Sequence, residues 1–221
     1  MVRPATDGLE TAAQDAGEDL RLAHAAREIA LPACRAVIQA SGRSIRATHR
    51  GEIHDAAVLA EEARGHLDRA QAAVRASLAL SGAGFLHDAE KEYAEAVLFA
   101  ALAGNVGVAG HATIGVAAAA WLNGLAEAAS ELRRHLLDTL RNGDLRRAEE
   151  LLDVMDEVYG VLVTVDYPDA VTGGLRRTTD AFRAVLERTR SDLTTTVLQS
   201  RLQSSLERAM ESATRTGQAA D

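Results

Sequence analysis

The sequence is poor in the residues that usually lock or punctuate a fold. Cys34 is its only cysteine, so an intrachain disulfide and a cysteine-based zinc site are both excluded. Three prolines interrupt 221 residues, and alternating β-branched runs are almost absent, which argues against a sheet. Aromatic residues make up 3%. Ala, Leu and Val therefore have to fill the core, a composition that suits closely approaching helices better than a β-sandwich. No apolar run is long enough for a membrane span, and no basic stretch followed by an apolar core marks the N-terminal segment. The expectation is a cytoplasmic protein without membrane contact. Lysine is nearly missing too: Lys91 is the only one, so positive charge is otherwise carried by guanidinium. Arginine binds phosphate in a forked geometry, but biased base composition in the coding DNA gives the same excess, so abundance alone decides nothing.

What is present is a helical pattern. The chain is 47% hydrophobic and 25% charged, with a formal net charge of -8, and at this length roughly 70% of the unfolded surface can be buried. Apolar residues recur at helical spacing almost throughout. That predicts one all-α domain over residues 9–213, with flexible tails at 1–8 and 214–221. A helix or kinked pair is expected from Leu9 to Arg50, with Pro32 at the kink and Gly51 as the stop. A second helix should run from Glu52 to Leu80, ended by "SGAG", and a third from Phe85 to Ala103, ended by "GNVGVAG". A fourth spans Ile114 to Arg141, and Asp144 in "NGD" is placed to cap a fifth from Leu145 to Thr164. After the irregular "DYPDAVTGG", a last helix should reach Ala213.

Two constellations carry chemistry. Glu92 and Glu95 in "EKEYAEAVLF" are three apart, and Glu127 and Glu131 in "GLAEAASELRR" are four apart, so each pair shares one helix face. Small neighbours (Ala94, Ala96, Ala126, Ala128, Ala129) allow the two helices to approach until both pairs converge. Four converging carboxylates repel strongly unless a cation sits among them. A hard divalent ion such as Mg²⁺ prefers that all-oxygen shell. Acids on Ala-rich helices are also commonly solvated or ion-paired, with Arg134 and His135 in reach of Glu131. Spacing alone does not separate these readings.

The second constellation is a stripe of arginines. Arg35, Arg43, Arg46 and Arg50 fall within about 80° on a helical wheel, with no acid between Glu28 and Glu52. Such a face suits a phosphate backbone; a solvated face or salt bridges to a neighbouring helix would use it equally well. Ile38, Ile45 and His49 lie to one side of it, toward an expected core, which makes His49 a hydrogen-bonded packing residue rather than a catalyst. Other chemistries are missing: there is no paired Glu-x-x-His di-iron element, P-loop, dinucleotide fingerprint or nucleophile elbow.

The same residues carry a resemblance to the translin family. "SGRSIRATHRGE" resembles the family's Ser-Arg…Ile-Arg-x-x-His-Arg segment, and "KEYAEAVLF" its QEYxEA helix. "WLNGLAEAASELRRHLLDTLRNGD" resembles the YLxGLADxxGELRR…xGD block. "AEELLDVMDEVYGVLVTVDYP" follows, and "GGLRRTTDAFRAVLERTRSDL" resembles the closing LRRKxDxxR segment. Together they run in order from Arg35 to Leu193.

The resemblance implies an all-α fold of about seven helices that assembles into hollow, octameric shells binding single-stranded RNA, with single-stranded DNA as an alternative. It implies a homo-oligomer, with a paralogous partner chain as the other arrangement. In one branch of the family it implies Mg²⁺-dependent endoribonuclease activity, with Mn²⁺ as an alternative ion; the other branch supplies binding only. Carried over by position, the family's metal-binding and catalytic acids fall on Glu92, Glu95, Glu127 and Glu131, and the nucleic-acid-binding arginines are Arg35, Arg43, Arg46 and Arg50. This sequence departs from the family pattern with Glu127 for Asp, Ser130 for Gly and Trp121 for Tyr. The function expected is a metal-dependent endoribonuclease on single-stranded RNA. The alternative is a non-catalytic single-strand binder built on the same shell.

Overall fold

The computed structural model describes residue 6, residues 8–80 and residues 82–218. Most of the two expected tails (residues 1–5, 7 and 219–221) lies outside these. Among the described residues there are eight helices and no strand: α1 (Leu9–His49), α2 (Ile53–Arg75), α3 (Gly84–Ala103), α4 (His111–Ile114), α5 (Ala118–Arg141), α6 (Leu145–Leu162), α7 (Asp169–Thr172) and α8 (Leu175–Gln218). No helix is long and apolar enough to cross a membrane.

The order starts with an αα-hairpin. On α1 the buried residues Ala26, Ala30, Ala33, Val37, Ala40, Ser44 and Ala47 alternate by four and three, the repeat of a coiled-coil seam. On α2, Ala56, Ala63, Leu67, Ala70 and Val74 keep the same seven-residue period. Small side chains on both sides bring the axes close enough for the Ser44 hydroxyl to donate to the Ala56 carbonyl at 2.8 Å. The seam explains one departure from expectation. Val37 takes the inward position, so the adjacent Ile38 is left 39% exposed, whereas Ile45 is buried as expected. α1 continues through Pro32 as one helix. It ends where Gly51 adopts φ +74°, a left-handed conformation that glycine takes without strain.

The remaining helices build the main core. α3 packs on α1, α2 and α5; α5 packs on α6 and α8; α6 also packs on α8. Phe99, Phe182, Leu98, Leu132, Leu136, Leu151, Met155, Leu162 and Leu186 are among its largest fully buried side chains. The chain is thus poor in aromatics, yet two of its three phenylalanines are at the centre. The Asp144 carboxylate caps α6 by accepting from the Arg147 N–H at 3.0 Å. The single-turn α7 occupies a stretch expected to be irregular. The single-turn α4 lies where the fourth long helix is expected to begin, that helix (α5) starting only at Ala118, and α8 runs to Gln218 instead of stopping near Ala213.

Two long-range contacts fix α5. The buried Glu90 carboxylate accepts from the Gln71 amide at 2.7 Å and from the Ala117 N–H at 3.1 Å, tying the α5 N-terminus to α3 and α2. Asn123 donates to the Thr172 carbonyl at 2.8 Å and accepts from the Thr178 hydroxyl at 2.7 Å, tying α5 to α7 and α8. Immediately after the second anchor, α5 touches α3 at Gly124. A Cβ there would stand 2.8 Å from the Ala94 Cβ and 2.8 Å from the Lys91 carbonyl oxygen. Alanine normally favours a helix over glycine by about 1 kcal/mol, but here the methyl group meets backbone. Gly124→Ala should therefore lower stability by about 1–3 kcal/mol, the usual range for overpacking. Thermal unfolding of the two proteins checks this, and a variant as stable as the parent would disprove the close contact.

Candidate functional site

The Gly124 contact brings the two acidic pairs together. Glu92 and Glu95 project from α3 and Glu127 from α5, and one carboxylate oxygen of each lies within 4.8 Å of the others. Glu95 is 8% exposed, while Glu92 and Glu127 are half-buried. Removal from water disfavours the charged form of Glu95, and the charges of Glu127, Glu92 and Glu131 add to that. Its pKa rises to about 8 as a result. All donors are carboxylate oxygens, the chemistry that suits a hard divalent cation.

Glu131 is placed differently. Its carboxylate is 2.7 Å from His49 Nε2, neither Arg134 nor His135 being its bonded partner. That hydrogen bond, assisted by the His49 and Arg134 charges, holds the Glu131 pKa below the usual carboxylate range despite its burial. His49 has a 3% exposed side chain and packs on Phe99 with ring centroids 4.6 Å apart. It is the hydrogen-bonded packing residue expected, but its partner belongs to the acidic group. Its Nδ1 is buried without a hydrogen-bond partner among the described residues.

Lys91 was not singled out by spacing, because it is adjacent to Glu92 along the chain. Its Nζ donates to both oxygens of Glu127 at 2.7 and 2.6 Å and lies 3.4 Å from Glu92. Burial alone would lower its pKa, but the bonds and charges of Glu127 and Glu92 outweigh that and raise it. The lone lysine thus neutralises part of the cluster.

The arginine stripe is split. Arg43, Arg46 and Arg50 line a shallow cleft of about 380 Å³ with Glu52, Asp55, Val58 and Leu59, and Arg35 stands apart on the exposed surface of α1. The stripe is free of acids only along α1. α2 and its approach supply them, with Arg43 at 3.4 Å from Glu62 and Arg50 Nε at 2.9 Å from Glu52. Arg43 and Glu62 are both nearly half exposed, where ion pairs contribute little and exchange readily for other anions.

Fold and site together define an all-helical protein with a carboxylate cluster between two touching helices. No family model matches the sequence. Over 88 residues the chain is 34% identical to the uncharacterized protein MJ0175 of Methanocaldococcus jannaschii, covering 40% of this chain; it spans about two-fifths of that relative's length (39%). Among solved structures, AfC3PO in complex with duplex RNA superposes with a TM-score of 0.74 at 31% identity, over 85% of this chain and 97% of AfC3PO. A second structure, the crystal structure of AfC3PO, gives a TM-score of 0.72 at 30% identity over the same shares. Apo-NeC3PO, 18% identical, shares the fold with a TM-score of 0.67 over 89% of this chain and 99% of its own. The chain belongs to the translin family.

The cluster has a pH signature. Glu95 keeps its proton up to about pH 8 when folded, whereas the unfolded chain loses it near 4.5. Folding therefore takes up a proton between those values, and the Glu95 contribution to stability falls as pH rises through that window. Glu131, depressed, acts in the opposite sense: its contribution is present above the ordinary carboxylate pKa and is lost on acidification. In EDTA, Glu95→Gln should raise the melting temperature at pH 8 by about 4–8 °C, as roughly 2 kcal/mol does in a chain of this size. The gap should close toward pH 5. Parallel melting curves across that range would show that Glu95 is not held protonated.

Proposed function

We propose that this chain is a divalent-ion-dependent endoribonuclease acting on single-stranded RNA. The observation that carries the reading is the convergence of Glu92, Glu95 and Glu127 within 4.8 Å on helices of a translin-family fold. Those three carboxylates would hold Mg²⁺, or Mn²⁺ in its place, with Glu131 beside them. A divalent ion bound there supplies Lewis acidity, which offsets charge on a phosphate and lowers the pKa of water. The chain's own groups do the rest. Glu95, which burial and the neighbouring carboxylates keep protonated near neutral pH, would serve as a ligand in its deprotonated form. His49 holds Glu131 charged and in one orientation through the 2.7 Å bond.

Arg43, Arg46 and Arg50 hold the RNA backbone, with Arg35 further along the same helix. Phosphates replace the exposed carboxylates of Glu52 and Glu62 as their partners. These contacts position the strand without reading its sequence, and no aromatic ladder accompanies them. That AfC3PO is found with duplex RNA supports a nucleic-acid ligand; single-stranded RNA, single-stranded DNA and duplex are to be compared directly. Assembly into a homo-oligomer, expected to be of eight chains, belongs to the proposal. Val161, Val163, Tyr167 and Val171 around α7, and Leu198, Leu202 and Leu206 along α8, are at least half exposed and suit burial against other copies. A reducing, cytoplasmic setting is part of the same reading, in keeping with a buried free thiol at Cys34 that burial pushes up to about 11. One observation favours the non-catalytic binder instead: Lys91 already occupies Glu127.

The test is incubation of the purified chain with labelled single-stranded RNA in Mg²⁺ or EDTA. Glu92→Gln and Glu131→Gln should abolish Mg²⁺-dependent cleavage and keep RNA binding and oligomer size. If both cleave at the parent rate, the carboxylates are not the catalytic groups. Replacing Arg43, Arg46 and Arg50 together by Glu should weaken binding of all sequences alike and flatten its salt dependence, by about one unit of slope per lost phosphate contact. Unchanged affinity and slope in an assembled triple variant would return those arginines to surface ion pairs.

A further inference from the structure

We propose that Lys91 is a tethered counter-cation that holds the place of the divalent ion in the carboxylate cluster, so that the ion binds only by displacing it. The inference rests on the metal-site reading above and goes beyond it, because it assigns to this chain a built-in competitor for its own cofactor.

Three observations converge. The first is geometric: the Lys91 ammonium lies 2.6 and 2.7 Å from the two Glu127 oxygens and 3.4 Å from Glu92, so it bridges α3 and α5 across two of the three carboxylates that would bind the ion. The second is compositional: the chain uses arginine for every other cationic side chain of high pKa, yet places its only lysine here. An ammonium is a compact point charge with three donors, whereas a guanidinium is a wide planar fork. Only the former resembles a small cation in a carboxylate pocket. The third is burial: the Lys91 side chain is 20% exposed and those of Glu92 and Glu127 29% and 32%, so the contact is shielded from the solvent that makes surface ion pairs weak.

The electrostatic consequence is direct. A divalent ion among Glu92, Glu95 and Glu127 would either sit beside an ammonium of like charge or expel it from Glu127, and both weaken binding. Without the ion, the same ammonium relieves part of the repulsion among the carboxylates.

The test is calorimetric titration of MnCl2 and MgCl2 into the 221-residue chain and into Lys91→Gln and Lys91→Arg, with melting temperatures in EDTA. Lys91→Gln should bind the ions about tenfold more tightly or better, while melting lower than the parent in EDTA. Lys91→Arg keeps the charge and should bind no more tightly than about threefold over the parent. Binding by Lys91→Gln where the parent shows none would support the proposal in its strongest form. Equal or weaker binding by a folded Lys91→Gln would overturn it while leaving the metal site intact. Tighter binding by Lys91→Arg to the same extent as Lys91→Gln would overturn it too, since charge would then be irrelevant. Failure of all three proteins to bind would overturn the metal-site reading and this proposal with it.

Discussion

The constraint on which the rest depends is the gathering of like charges between α3 and α5. Glu92, Glu95 and Glu127 come together because Gly124 lets one helix lie against the backbone of the other, and nothing in the packing of the core requires acids there. The fold offsets their repulsion in three separate ways. It keeps Glu95 protonated to about pH 8, turns Glu131 toward His49, and sets Lys91 against Glu127. Apolar groups of similar size would pack there without these three devices, and this supports the proposed role for the four carboxylates.

The C-terminal end of α1 joins the two halves of the proposed function. Its outer face carries Arg43, Arg46 and Arg50, and its inner face carries His49, whose ring reaches Glu131. A strand held in the arginine cleft would therefore lie on the same turns of α1 that reach Glu131, which stands next to the carboxylate cluster on α3 and α5. The Ala-rich seam with α2 holds that helix in place: Ala40, Ser44 and Ala47 are buried in it directly beside the arginines. Helices, rather than loops, position the carboxylates, Lys91, His49, Arg43 and Arg46, with Arg50 at the C-cap of α1, and this keeps the carboxylates close even before an ion is bound.

How much of this the sequence disclosed follows from the range of each interaction. Helix-face spacing is local, so the pairs Glu92/Glu95 and Glu127/Glu131, the Asp144 cap and the six long helices could be read directly. Partners across helices could not. His49 with Glu131 spans 82 residues, Lys91 with Glu127 spans 36, and the acids that face the arginine stripe arrive from α2. Glu90, only two residues from Glu92, turned out to be a structural acid that anchors the α5 N-terminus, a role that no spacing rule distinguishes from its neighbours. The single-turn helices α4 and α7 are too short to show a period, and Ile38 failed as a core residue because a seven-residue seam chose Val37 instead.

The account makes the carboxylate cluster a divalent-ion site guarded by its own lysine. Diffraction from crystals of the 221-residue chain grown in MnCl2, with data collected at the manganese edge, tests that most directly. The predicted result is an anomalous peak ligated by Glu92, Glu95 and Glu127, with the Lys91 ammonium withdrawn from Glu127. A cluster without such a peak at saturating manganese, with Lys91 still on Glu127, would contradict it.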